Sequence, residues 1–153
     1  MKKHQNEKGF TIIEVVLVLA IAALIFLMVF IALPALQRSQ RDTQRKNDLS
    51  RMTTALTSYE SNNRGDLPTD WNAFRTGYIT TAGDTFVDPS GTAYVFKVDN
   101  AVQTIADFDA TAPTIYVTTG AKCTGETTVL GQGARKVAFQ MKLEGSGTAC
   151  QNN

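Results

Sequence analysis

The sequence predicts an α+β protein, with one long N-terminal α-helix packed on a small antiparallel β-sheet head. Three observations predict it. First, no charged side chain occurs from Val15 to Leu36, and only Pro34 interrupts the aliphatic run. At about 1.5 Å per helical residue, roughly twenty apolar residues span the hydrocarbon core of a bilayer. A helix apolar all round must be surrounded by lipid or by protein. Second, Leu49, Met52, Leu56 and Tyr59 recur at three- and four-residue steps, the pattern of one buried helical face. Third, residues 93–98, 114–119 and 135–143 are alternating or β-branched and read as strands.

Taken in order, the chain divides into residues 1–9, a basic leader; 10–36, the apolar helix; 37–60, its amphipathic continuation; and 61–153, the head. A secretory signal has an apolar core of about 7–15 residues followed by a small-residue cleavage site. Here the apolar run is longer and the leader lies wholly before it, so the helix is expected to stay with the mature protein. Pro34 removes one helical amide and its ring crowds the carbonyl of Phe30, which predicts a kink just before it. From Gln37 to Asp48 the segment is strongly polar with no proline or glycine, so the helix should continue into solvent. Residues 62–68, Asn-Asn-Arg-Gly-Asp-Leu-Pro, gather the turn formers that end it.

The head begins with a short helical turn around Trp71 and Phe74. Asp88-Pro89-Ser90-Gly91 is a turn signal, and a strand with Tyr94 and Phe96 follows. Residues 114–119 give a second strand. In the third, Val137, Phe139 and Met141 alternate with Lys136, Gln140 and Lys142. A sheet of these strands laid on the Leu49/Met52/Leu56/Tyr59 face buries both apolar surfaces.

With 153 residues there is room for one domain after the anchor. A net charge of +1 gives no reason to expect a dedicated nucleic-acid binder or an acidic tail. The Lys/Arg bias carries a conflict. The leader offers Lys2, Lys3 and Lys8, whereas Arg38, Arg41, Arg45, Lys46 and Arg51 follow the helix. Taken alone, that bias places the C-terminal domain in the cytoplasm.

Glu14 is the exception within the apolar segment. On insertion scales a charge at mid-bilayer costs about 3 kcal/mol, and less near an interface, so such a residue marks a functional site by default. The plain alternative is an acid tolerated beside the headgroups.

Lys8-Gly9-Phe10-Thr11-Ile12-Ile13-Glu14, followed by a long apolar helix, resembles the class III signal of type IV pilins and pseudopilins. The resemblance implies cleavage after Gly9 by a prepilin peptidase and N-methylation of the new terminus at Phe10. It also implies residence in the cytoplasmic membrane as a single-pass protein. Lifting into an extracellular helical homopolymer of identical or related subunits, by an assembly platform and its ATPase, would follow. Membrane lipid would surround the helix before assembly. Phe10 and Glu14 would then be the assembly pair, the new amine of one subunit meeting the carboxylate of another. An unpaired carboxylate in a low-dielectric core is expensive, whereas one paired with an ammonium is tolerable. Ala32-Leu33-Pro34-Ala35 matches the family's proline context, although that proline usually sits nearer the start, where this chain has Ile31. Ala23 stands where the family often has a glycine. His4, the single histidine, lies in the leader and would be lost on maturation. The mature chain would then hold no Ser-His-Asp or Cys-His arrangement, so no enzyme activity, cofactor or metal is expected.

The resemblance further implies a disulfide between Cys123 and Cys150 closing a C-terminal loop, as in many type IV pilins; the bland reading is two reduced thiols. An oxidising compartment and a small core favour the bond. Arg64-Gly65-Asp66 matches an adhesion tripeptide, but it lies where a helix-ending turn is needed. The basic stretch Arg38–Arg51 could contact phosphates, although such a stretch is more often a solvated face interlaced with Asp42 and Asp48. Asp107 and Asp109 fall short of the 6–8 oxygens calcium takes. The functional expectation is a structural pilus subunit serving adhesion, twitching motility or DNA uptake. The alternatives are a pseudopilin of a type II secretion or competence system, and a single-pass anchored binding domain that never polymerises.

Overall fold

The computed structural model describes residues 9–153. The leader residues Lys2, Lys3, His4 and Lys8 lie outside the described residues. Helix α1 spans Ile12–Asn62 and α2 spans Trp71–Phe74. A π-helical turn, Arg75–Ile79, and a 3₁₀ turn, Thr81–Gly83, follow α2. The strands are β1 (Val95–Asp99), β2 (Thr114–Thr119), β3 (Ala121–Thr124), β4 (Thr127–Leu130), β5 (Val137–Lys142) and β6 (Thr148–Asn152). The chain forms two compact units, divided between Gln37 and Arg38.

In the first unit α1 is helical through Pro34. Every residue from Gly9 to Gln37 is exposed except Ala22, which is half-buried. The side chains that repel water most strongly therefore find little cover among the described residues. It is the one helix among the described residues long and apolar enough to cross a membrane.

The second unit has a conventional core. Leu49, Met52 and Leu56 from α1 pack with Trp71 and Phe74 from α2 and with Ile115, Val117, Val137, Phe139 and Met141 from the sheet. Tyr59 packs against this core at its margin. Asp70 caps α2, its carboxylate accepting from the backbone N–H groups of Asn72 and Ala73. The four-stranded sheet runs in the order β1-β2-β5-β6, and β3-β4 forms a separate hairpin.

Two features depart from the sequence reading. The sheet is antiparallel apart from β1 and β2, which are parallel. Parallel neighbours need a long crossover, here residues 100–113, which has no regular secondary structure. The C-terminal residues also form β6, paired antiparallel to β5, a strand beyond the three that the sequence predicts. Cys123 lies on β3 and Cys150 on β6 itself. The predicted turn at Asp88–Gly91 forms, with Gly91 N–H donating to the Asp88 carbonyl at 2.7 Å.

Candidate functional site

The start of α1 is built on reciprocal hydrogen bonds between Thr11 and Glu14. The Glu14 carboxylate accepts from the Thr11 backbone N–H at 2.8 Å and from its hydroxyl at 2.7 Å. In return the Thr11 hydroxyl oxygen accepts from the Glu14 N–H at 3.3 Å. This is a capping box, which satisfies donors that a helix N-terminus otherwise leaves open. Thr-x-x-Glu before an apolar run is its sequence signal, and the reading of Glu14 as a lone intramembrane acid overlooked it. Glu14 therefore has a partner within its own chain.

Phe10 is 90% exposed. Among the described residues no hydrogen bond joins it to Glu14. The amine that would pair with Glu14 does not exist while the Gly9–Phe10 peptide bond is intact. Around the cap, Ile12, Ile13, Val16 and Leu17 are exposed. A single acid is thus set in an apolar surface one turn from the candidate cut.

The head holds a second charged constellation, and it corrects the expectation of a solvated basic face. Arg45 is 1% exposed. Its Nε and Nη2 donate to the two Asp88 carboxylate oxygens at 2.6 and 2.9 Å, a bidentate pair. Its Nη1 donates to Asp42 at 2.8 Å and to Glu144 at 3.2 Å. Phe108 lies 4.0 Å from the guanidinium carbon, within cation–π range. Asp42 in turn accepts from the backbone N–H groups of Glu144 and Gly145 at 2.9 and 2.8 Å. One buried arginine therefore ties α1 to the Asp88 turn and to the β5–β6 turn.

The shifts follow from this geometry. Burial opposes charge on Arg45, but hydrogen bonds to Asp88 and Asp42 outweigh it and raise its pKa. Burial also opposes charge on Asp88, and the Arg45 and Ser90 hydrogen bonds overcome it to lower its pKa. Glu144 is held down to about 2, first by the hydrogen bond from Arg41 and then, against burial, by Arg45. Asp48 goes the other way: burial pushes it up despite hydrogen bonds from Tyr94 and Arg51.

This pairing changes the basic stretch. Arg41 pairs with Glu144, Arg45 with Asp42, Asp88 and Glu144, and Arg51 with Asp48 and Asp84. Among the described residues, Arg38 and Lys46 are left as its basic side chains without a salt bridge, a thin basis for phosphate binding. Arg64 and Asp66 are exposed, in a turn where Arg64 has φ 58° and Gly65 φ 85°. Asp109 accepts from the N–H and hydroxyl of Thr111, so it serves its own turn. Among the described residues, no group of three or more histidine, cysteine or acidic side chains could hold a metal ion.

Cys123 and Cys150 are joined in a disulfide, their Cα atoms 5.8 Å apart. The bond fastens the β3-β4 hairpin to β6, where Cys123 N–H also donates to the Asn152 side chain at 3.1 Å.

An exposed apolar helix with a charged cap, joined to a disulfide-closed head, is the arrangement of a membrane-anchored protein. Residues 4–30 match the family model of the prokaryotic N-terminal methylation motif. That match and the long apolar helix support a type IV pilin-like protein, anchored in the membrane by the helix. The motif implies processing by prepilin peptidase and handling by pilin assembly machinery in general. No curated protein and no solved structure matches the chain.

Proposed function

We propose that the protein is the structural subunit of a type IV pilus, polymerising through α1 into an extracellular filament used for adhesion, twitching motility or DNA uptake. The observation that carries this reading is the exposure of α1 from Ile12 to Leu36, broken only at half-buried Ala22 and marked by one acid at Glu14. An apolar surface of that length needs lipid before assembly and neighbouring copies afterwards. Exchanging one for the other is nearly balanced in hydrophobic free energy, so specificity must come from packing and from charge.

In this scheme Gly9 and Phe10 are the processing site, and cleavage creates the Phe10 amine. Glu14 leaves its bonds to Thr11 for the Phe10 amine of a neighbour, which sets the axial register. Pro34 supplies a bend between the filament core and the head. Glu14→Ala tests the scheme. The variant is expected to be expressed, cleaved and membrane-bound, but to enter filaments poorly. Wild-type filament yield from it would refute the pairing.

A pseudopilin is the second reading, favoured by one feature. Asp88-Pro89-Ser90-Gly91 followed by Tyr94 resembles a turn common in pseudopilins, and here it is clasped by Arg45. Such a subunit would build a short fibre in a secretion or competence system, with the same cut and the same acid.

A further inference from the structure

The strand order leaves β1 at one edge of the sheet. All its residues are exposed except Phe96, which is half-buried. The Val95 N–H donates to the Pro113 carbonyl at 2.9 Å, so the odd-numbered residues of β1 turn their backbone groups toward β2. Because these groups alternate along a strand, those of Phe96 and Val98 turn outward. Among the described residues, no hydrogen bond outside the sheet ladders reaches either of them. Arg75 occupies the edge just before, donating to the Tyr94 carbonyl at 3.4 Å. Beyond it the open edge consists of Phe96 and Val98, since the Asn100 N–H after the strand is taken by the Asp99 side chain.

Charged residues on an edge strand usually discourage pairing. Here their order does the opposite for one register. Lys97, Val98 and Asp99 are consecutive, so an antiparallel pair about a two-fold axis at Val98 sets Lys97 of each copy against Asp99 of the other. Opposite charges facing across a strand pair stabilise it, and like charges destabilise it. A shift of the axis by one residue sets lysine against lysine or aspartate against aspartate. The backbone agrees with the favoured register. Val98, whose groups point outward, becomes a hydrogen-bonded pair with its own copy, and Phe96 lies opposite Asn100, whose N–H stays with Asp99. Asp99 already accepts from Asn100 N–H at 2.7 Å through Oδ1, which leaves Oδ2 for the lysine. Val98 is 49% exposed, and its apolar surface would be covered by its counterpart.

The geometry points to β1 as a self-recognition edge, where the head of one copy pairs antiparallel with the head of a second, centred on Val98. The contact is isologous, as a two-fold demands. It is short and therefore weak between single heads, and it gains strength only where many copies are held in arrays. A polar filament repeats its subunits in one direction, so a two-fold contact of this kind would join separate arrays.

The test uses the full chain in detergent micelles. All native cysteines are consumed by the Cys123–Cys150 bond, so Val98→Cys introduces a single thiol. Under mild oxidation it is expected to cross-link to a second copy about tenfold faster than Val129→Cys, a comparably exposed control on β4, because pairing raises the local thiol concentration. Adding Lys97→Asp or Asp99→Lys to Val98→Cys should each remove that advantage. Mixing the two charge variants should restore it, since lysines then face aspartates throughout. Equal rates at the two cysteine positions, no effect of charge reversal, or no rescue on mixing would overturn the proposal. Far-ultraviolet circular dichroism and retention of the native disulfide confirm that each variant is folded.

Discussion

The two units of the chain invert each other's chemistry. From Gly9 to Gln37 apolar side chains such as Leu24, Phe26 and Ile31 are exposed, and the acid Glu14 is bonded to its own backbone. From Arg38 onward the core is apolar, yet the largest of its fully buried side chains is an arginine. The contrast shows that each unit is made for a different solvent. A head folding in water buries Leu49 and Met52 and admits Arg45 only because three carboxylates receive it. A helix made for lipid needs no such arrangement, except at its polar start. One continuous helix belongs to both regimes, and the change falls between Leu36 and Asp42.

The largest effect should come from the buried arginine. Breaking a buried ion pair by removing one partner costs about 3–5 kcal/mol, because the remaining charge is left uncompensated. Arg45→Ala should therefore lower the head's unfolding free energy by about that amount in urea titrations. Leu24→Ala in the exposed segment should leave the same transition unchanged. Comparable losses from both would erase the distinction between the units.

The disulfide should rank next. Its cysteines are 27 residues apart, and closing a loop of that size stabilises by about 3.5 kcal/mol on the chain-entropy model. A Cys123→Ser/Cys150→Ser double variant should show that loss in the same titration. Hydrogen exchange should locate the loosening in the β3-β4 hairpin and β6.

Acid should then act on the head in a defined window. Glu144 falls from an ordinary 4.5 to about 2 in the folded protein. A carboxylate with a depressed folded pKa contributes stability that is present above the unfolded value and lost as pH falls through the folded one. Asp88 is shifted in the same direction. The urea midpoint should thus decline as pH falls from about 4.5 toward 2, and Glu144→Gln should flatten that decline. Asp48, pushed up by burial, acts in the opposite sense, its protonation favouring the fold.

The smallest effect belongs to the helix start. Thr11→Ala removes the hydroxyl of the capping box, a change worth about 1 kcal/mol at an N-cap. In micelles, amide exchange should quicken over the first turn of α1 and stay unchanged in the head.

How much of this was legible in the sequence follows the same division. The long helix, the face of Leu49, Met52 and Leu56, and the strands at Thr114–Thr119 and Val137–Lys142 are periodicity signals, and they formed where the spacing put them. β3, β4 and β6 are short, and their sequences, Ala-Lys-Cys-Thr, Thr-Thr-Val-Leu and Thr-Ala-Cys-Gln-Asn, carry little alternation. They exist through pairing and a disulfide rather than through local pattern. The parallel direction of β1 depends on where the unpatterned segment 100–113 runs, which no local spacing encodes. Arg45 looked like one more base in a polar stretch. Its burial arises from Asp88 and Glu144, 43 and 99 residues away in the chain. At the candidate site both the acid and its cap were legible, but the Thr11-x-x-Glu14 signal was overlooked.

The central claim is that the apolar helix is a working part released by one cut, and intact mass spectrometry of the protein purified from its cells tests it most directly. A mature chain beginning at Phe10, with a methyl group on its amine, is the predicted result. A membrane protein still beginning at Met1 would contradict the account.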